Sequence, residues 1–599
     1  MAETVAALVA GHRSGAIAIA DTVQRTFHRI REVADPAIFI SLRKKEEVFA
    51  EARQLAHAEP SLPLYGVPFA VKDNIDVAGL PTTAGCPAFA YTPGDDAHCV
   101  ARLKAAGAIV IGKTNLDQFA TGLVGMRSPY GMPRNPLRAD LVSGGSSSGS
   151  AVAVATGIVP LALGTDTAGS GRVPAGFNNI VGLKPSVGLI SVTGVVPACR
   201  SLDCVAIFTL TVEDAFAALQ VMADWDARDP YSRQIAPGVL AAPPQGLRIA
   251  VPRREDKLFF GDDSAARSFA AAEDLVQAMG ARLVEIDLAP FFAAGRLLYE
   301  GPWVAERMAA VGEFIAARPE HVHPITREII LQGAAKSAVD AFRGLYKLAE
   351  LRGQTQKALA GIDALMVPTM PTPSTVTDVE RDPIGPNARL GTYTNFVNLL
   401  DMAGIAVPVS LTADGTPYGV TLLAFAGRDE HLSGIGAAIH ARTGLPLGAL
   451  GSARAPMPPL ASGLRTDELA IAVVGAHMSG MMLNSELVGL GGRFLQRGRT
   501  SADYRLFALQ GGTVSRPGLL RVAQGSGHAI ELETWALPAE GFARFVAAVP
   551  PPLSIGSVVL GDGSMVKGFL VEAEATYGAR EISSFGGWRA FLAAELPQG

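Results

Sequence analysis

The chain has 599 residues, 49% of them hydrophobic and 18% charged, with 65 glycines and 40 prolines; this length and composition predict two or more folded domains and exclude extensive disorder. Its 51 basic and 56 acidic side chains leave a net charge of −5, so there is no basic footprint for nucleic acid and the expected partners are small molecules. Four cysteines, Cys86, Cys99, Cys199 and Cys204, are too few for a disulfide scaffold and match no metal-binding spacing, which predicts reduced thiols, a cytoplasmic protein and no metal site.

Glu3, His12 and Arg13 interrupt the opening residues, so no secretory signal is expected. Apolar residues recur at helical spacing over residues 16–33, and a second helix is predicted over 45–57. From Gly66 onward, short β-branched runs such as 108–111 and 181–183 alternate with helical stretches and many glycines, the pattern of an α/β sheet with covered faces. The longest apolar stretch, residues 151–164, is shorter than a bilayer span and contains Gly157 and Pro160. It reads as a buried helix leading into a strand, and no membrane partner is expected. Residues 446–467 are rich in Pro, Gly, Ala and Ser with no apolar period, and are read as a linker between domains at 1–445 and 468–599. Beyond the linker, short strand-like runs separated by glycine turns close in a helical GGWRAFLAAEL, which predicts a small α+β domain.

Three segments carry the chemistry: residues 66–75 (GVPFAVKDNI), 143–151 (SGGSSSGSA) and 163–175 (LGTDTAGSGRVPA). The serine clusters contain no lysine and give no phosphate-loop match. Small residues around a serine suit a nucleophile instead, because they let backbone N–H groups crowd a developing oxyanion. No histidine lies between Cys99 and His321, so a local Ser-His-Asp arrangement is excluded there; His98 is the only nearby candidate. A lysine can serve as base if burial lowers its pKa, and Lys72, preceded by Phe69, Ala70 and Val71, is placed for that. A lone serine in a glycine-rich loop is ordinarily a turn residue.

These segments, together with residues 112–122 (GKTNLDQFATG) and 182–188 (GLKPSVG), resemble the amidase signature family over roughly residues 1–445. The resemblance implies the amidase signature α/β fold, a mixed sheet covered by helices, with no cofactor. It implies Ser170 as nucleophile, Ser146 as bridging serine after a cis peptide, and Lys72 as base. The backbone N–H groups of Thr167, Ala168, Gly169 and Ser170 would form the oxyanion hole, while Asp166 and Arg172 hold the loop. The sequence departs from the family pattern at Ala168, Gly171 and Ser148 without losing a reacting atom.

Within that family, residues 198–208 (ACRSLDCVAIF) and the C-terminal domain resemble allophanate hydrolases. The substrate implied is allophanate, whose carboxylate needs a cation; Arg307, with Tyr299, is the matching pair, although Gly301 and Pro302 keep helical periodicity from placing them on one face. The C-terminal domain resembles the γ-glutamyl cyclotransferase fold. It would decarboxylate the first product, N-carboxycarbamate, with His477 as candidate general base and His528 as a weaker candidate. The resemblance further implies a homodimer and a functional link to a biotin-dependent urea carboxylase. Two alternatives stay open: a glutamine-dependent amidotransferase component needing protein partners, and a C-terminal domain that only binds or dimerises.

Overall fold

The short β-branched runs and the apolar helices between them fold into two units. The computed structural model describes residues 3–243, 246–454, 464, 467–509 and 516–595. One unit comprises Met1–Leu240, Ile249–Met279 and Leu283–Pro456; the other comprises Ala241–Arg248, Gly280–Arg282 and Met457–Gly599. The linker expected over 446–467 falls in large part outside the described residues. Its described beginning belongs to the first unit: Leu447 is buried, and Asn179 Nδ2 donates to the Pro446 and Gly448 carbonyls at 2.8 and 2.9 Å.

The first unit is built on an 11-stranded mixed sheet. Its strands are β1 (Phe39–Leu42), β2 (Pro68–Lys72), β3 (Ile109–Thr114), β4 (Leu161–Asp166), β5 (Val181–Lys184), β6 (Cys204–Thr209), β7 (Arg248–Pro252), β8 (Arg282–Ile286), β9 (Ala364–Pro368), β10 (Met402–Leu411) and β11 (Pro417–Phe425). They run in the order β1-β3-β2-β4-β6-β5-β10-β11-β9-β7-β8. The predicted helices are present as Ile19–Val33 and Lys45–Leu55, and residues 151–164 contain the end of a helix, Ser148–Ala155, followed by β4. Every residue in that helix is buried, its five C-terminal residues being Ala and Val and the Ser150 hydroxyl being satisfied by the Leu163 carbonyl at 2.8 Å, as a helix packed on both sides requires. It lies in a core with Ile38, Ile109, Ile111, Ala162 and Phe208. β2 pairs in parallel with both β3 and β4, which brings the C-terminal ends of β2 and β4 side by side. Lys72 ends β2 and Asp166 ends β4. Strand ends are where a covered sheet leaves loops free for chemistry.

The second unit has a five-stranded sheet in the order β13-β16-β12-β18-β17, formed by β12 (Glu468–Val473), β13 (Arg493–Arg499), β16 (Glu531–Pro538), β17 (Leu553–Val559) and β18 (Met565–Val571). A three-stranded sheet, β15-β14-β19, comes from β14 (Tyr504–Leu509), β15 (Arg516–Arg521) and β19 (Arg580–Glu581). The closing helix is Trp588–Glu595, and its Trp588 and Phe591 join a core with Ile471, Leu506 and Trp535. All four cysteines are free and buried in the first unit. Burial pushes the Cys99 and Cys199 thiols up to about 12 and that of Cys204 to about 11. Among the described residues no helix is long and apolar enough to cross a membrane.

Candidate functional site

Lys72 reaches from the end of β2 into a space closed by the serine loop and the end of β4. Its Nζ lies 2.7 Å from Ser146 Oγ, 2.9 Å from Ser147 Oγ and 2.8 Å from Thr165 Oγ1. No part of the side chain meets solvent. Burial, opposed by the carboxylates of Asp117, Asp166 and Asp203, lowers its pKa to about 7, because an ammonium loses more than an amine when water is removed. The surrounding hydroxyls also fix how the amine is used. Ser147 Oγ donates to the Thr165 carbonyl at 3.2 Å, and Asn74 Nδ2 donates to Thr165 Oγ1 at 3.3 Å. A neutral amine has two hydrogens and one lone pair; giving the hydrogens to Ser147 and Thr165 leaves the lone pair for Ser146.

Ser146 follows a cis Gly145–Ser146 peptide, the form that the family resemblance implies. Its carbonyl accepts the Asp117 N–H at 3.1 Å, and the Asp117 carboxylate in turn accepts the Gly125 and Arg127 N–H groups at 3.0 and 2.7 Å. Asp117 therefore holds the backbone that carries Ser146. Ser170 is almost wholly enclosed in the loop after β4, and among the described residues its hydroxyl has no hydrogen-bond partner; the structure does not bring Ser146 and Ser170 into hydrogen-bond contact.

The loop around Ser170 is organised by Asp166, whose two oxygens accept the Gly169 and Gly171 N–H groups at 2.9 and 3.0 Å. The same carboxylate takes a two-pronged pair from Arg172, Nε at 2.9 Å and Nη2 at 3.0 Å. Burial alone raises the Asp166 pKa, but Arg172 outweighs it and the carboxyl is held below its ordinary value. Asp166 and Arg172 are thus the groups that tie this loop together. One expectation is corrected by the same contacts: the Gly169 amide is committed to Asp166 and is not free for an oxyanion in this geometry. The amides of Thr167, Ala168 and Ser170 donate to no group among the described residues. Gly169 is required for a different reason. Its φ is +133°, and a Cβ there would stand 2.5 Å from Thr394 Oγ1, a conformation and a space that exclude a side chain.

Arg307 sits in the helix Trp303–Ala317 and is buried. Tyr299 precedes the helix, and the chain turn between them lays the guanidinium carbon 5.3 Å from the tyrosine ring centre. This pairing overcomes the Gly301-Pro302 break that defeats a periodicity argument. Arg307 Nη1 donates to Thr121 Oγ1 at 3.1 Å, whereas its Nε and Nη2 are sealed from solvent with no protein acceptor among the described residues. Next to it, Glu306 accepts from the Ser201 N–H at 2.7 Å and the Ser201 hydroxyl at 2.8 Å, tying this helix to the segment that contains Asp203. Asp203 in turn accepts from the Thr167 hydroxyl and from the Ala198 and Cys199 N–H groups at 2.8 and 3.2 Å. Burial, opposed by these bonds and by Arg307, raises its pKa to about 6. Asp203 thus ties the loop that carries Thr167 to the Ala198–Cys199 backbone. Its place in ACRSLDCVAIF and that of Asp117 in GKTNLDQFATG were visible as parts of motifs, but their roles were not, since the groups they hold, Thr167 for Asp203 and the Ser146 carbonyl for Asp117, lie far away in sequence. His98 is remote from this chemistry, 3.4 Å from Asp226.

In the second unit His477 follows β12. Its Nε2 lies 3.0 Å from Glu486 Oε2, and its ring stacks on Phe569 at 5.3 Å and meets Phe545 edge-on at 4.9 Å. Burial, partly offset by Glu486, lowers its pKa. His528 is exposed and tied to Tyr504 through its backbone, with N–H to carbonyl 2.7 Å.

Comparison with known proteins places these residues in context. A family model described as amidase matches residues 21–432, and one described as allophanate hydrolase C-terminal domain matches residues 469–593. Urea amidolyase of Saccharomyces cerevisiae is 44% identical over 573 residues, covering 92% of this chain and 31% of that protein; the chain thus spans under a third of such relatives. Urea amidolyase of Lachancea kluyveri is 45% identical over 547 residues, 89% of this chain and 30% of that one. Among solved structures, the allophanate hydrolase of Kluyveromyces lactis superposes with a TM-score of 0.79 at 40% identity, covering 99% of both chains. The chain belongs to the amidase family and carries an allophanate hydrolase C-terminal domain.

Proposed function

We propose that the protein hydrolyses allophanate, releasing ammonia from the first unit and passing N-carboxycarbamate to decarboxylation by the second. The observation that carries this reading is Arg307, a buried guanidinium with two nitrogens lacking acceptors beside Tyr299. A permanent cation left so in a closed site is costly unless a ligand completes it, and a carboxylate offers two acceptors in matching geometry. A neutral amide does not. Glutamine also has a carboxylate, but the amidotransferase reading gives no task to residues 469–593, which match the allophanate hydrolase C-terminal domain.

In this reading Ser170 Oγ attacks the terminal amide carbonyl as its proton passes to Ser146 and that of Ser146 to Lys72. The oxyanion is received by the amides of Thr167, Ala168 and Ser170. The relay then runs backward, the nitrogen is protonated, and ammonia leaves; water enters by the same base and frees the acyl group as N-carboxycarbamate. Loss of carbon dioxide from that product leaves an electron pair on nitrogen, which needs a proton, and His477 with Glu486 is placed to manage one. Two ammonia and two carbon dioxide molecules result from each allophanate after the carbamate breaks down. The substrate is supplied by a reaction that carboxylates urea, and a biotin-dependent urea carboxylase is the partner proposed for it. The active form is proposed to be a cytoplasmic homodimer.

The test is Arg307→Ala, with Ser170→Ala as the inactive control. The KM for allophanate should rise strongly, since losing a charge-assisted pair with a buried partner costs roughly 2–5 kcal/mol. Biuret and malonamide, which lack the carboxylate, should lose much less. Equal losses of kcat/KM for allophanate and the neutral amides would assign Arg307 to structure and remove the basis for this substrate.

A further inference from the structure

The second unit contains a cavity of about 470 Å³ lined by His477, Glu486, Arg516, Phe545 and Phe569. Its walls are otherwise largely apolar: Val473, Val474 and Leu553 also face it. A pocket of this kind selects its ligand through the few polar groups that converge in it. Four are left open. Arg516, the first residue of β15, has no ion pair and no side-chain hydrogen bond among the described residues. His477 spends Nε2 on Glu486, while its Nδ1 has no partner among them. The amides of Ala476 and His477 likewise donate to no described group.

The approach of β15 brings the arginine to this place. Pro517, next to Arg516, lies against Gly475, so closely that a Cβ on Gly475 would stand 2.3 Å from the Pro517 ring. Only a glycine lets β15 approach the turn that carries His477. The result is a guanidinium and two free amides around one cavity, a donor set for an anion with two oxygens, with His477 Nδ1 beside them as an acceptor while the Nε2–H is given to Glu486.

We propose that Arg516 is the anion anchor of this pocket, holding one carboxylate of a small dicarboxylate or carbamate with its centre toward His477 Nδ1. The inference rests on the division of labour proposed above and deepens it: N-carboxycarbamate is a dianion with two carboxylates on one nitrogen. Arg516 holds one of them and the other end is left beside the apolar wall, where a carboxylate is poorly solvated and carbon dioxide is not.

Malonate, in which a methylene replaces the nitrogen of N-carboxycarbamate, is the probe. Binding is measured by calorimetry on the full chain carrying Arg307→Ala, so that the first unit lacks its own carboxylate partner, and the His477 ring is followed by nuclear magnetic resonance. One site is expected, with the His477 signals shifted by malonate. Arg516→Gln on the same background should weaken binding roughly tenfold or more, and Arg516→Lys should restore part of it. Malonate that fails to bind the parent, or that binds the folded Arg516→Gln chain within about twofold of it, overturns the anchor. Ammonia and carbon dioxide released from allophanate by Arg516→Gln alone separate the two ideas. If malonate affinity falls but carbon dioxide still appears as fast as in the wild type, the anchor stands and the division of labour fails.

Discussion

A lysine amine in water is an ammonium at pH 7, and it becomes a base there only if the ammonium is made costly. Lys72 meets that condition through burial, which brings its pKa from 10.5 to about 7. Activity that depends on the neutral amine therefore rises as the pH climbs through about 7, and a rate profile flat across that range would exclude Lys72 as the titrating base. The same shift has a signature in stability. Between about pH 7 and 10.5 the unfolded chain binds the lysine proton and the folded chain does not, so folding is favoured as the pH rises through this window. Chemical denaturation of wild type and Lys72→Met in parallel isolates the effect. The wild type should gain on the variant by up to about 1.4 kcal/mol per pH unit across the window; a constant difference would mean that Lys72 titrates normally.

The loop after β4 shows what an element adds to its residues. Asp166 gathers Gly169, Gly171 and Arg172 around one carboxylate, so the three amides it does not use are left unengaged as a consequence of one ion pair. Gly169→Ala should disturb all of them, since φ of +133° and Thr394 Oγ1 at 2.5 Å leave no room for a methyl group. A loss of roughly 100-fold or more in kcat is expected, comparable to removing an oxyanion donor, with KM changed far less; unchanged kcat would show that the loop tolerates another path. This element was legible in sequence as far as its glycine and serine composition and its match to a family pattern could carry it. Which amides remain free was not legible, because Gly169 and Ser170 are adjacent and equivalent in sequence and are distinguished only by where Asp166 points. Tyr299 and Arg307 were readable as a pair only through the family resemblance and not through periodicity: Gly301 and Pro302 break the period, and the turn that restores contact exists only in three dimensions. The end of the helix Ser148–Ala155 and the start of strand β4 were easier, since the apolar run from Ala151 to Leu163 states burial directly.

At the scale of the whole molecule, the proposed division of labour makes residues 1–455 sufficient for the first step. Expressed alone, this piece should release ammonia from allophanate while N-carboxycarbamate or its slower breakdown products accumulate; a folded but inert piece would show that both units complete one site. The split is not a single cut, because Ala241–Arg248 and Gly280–Arg282 group with the second unit, so the truncated chain should lose some stability without losing its core. The burial of Cys86, Cys99, Cys199 and Cys204, all within the first unit, supplies a means to watch this. A thiolate is the reactive form of cysteine, and raised pKa values with almost no solvent contact make all four unreactive while that unit stays closed. Ellman's reagent added to the native protein should give almost no colour, and in rising denaturant its signal should report the opening of the amidase unit alone, blind to the second unit, which contains no cysteine. The chain thus holds a built-in unfolding clock for one of its two parts, readable without attaching a label.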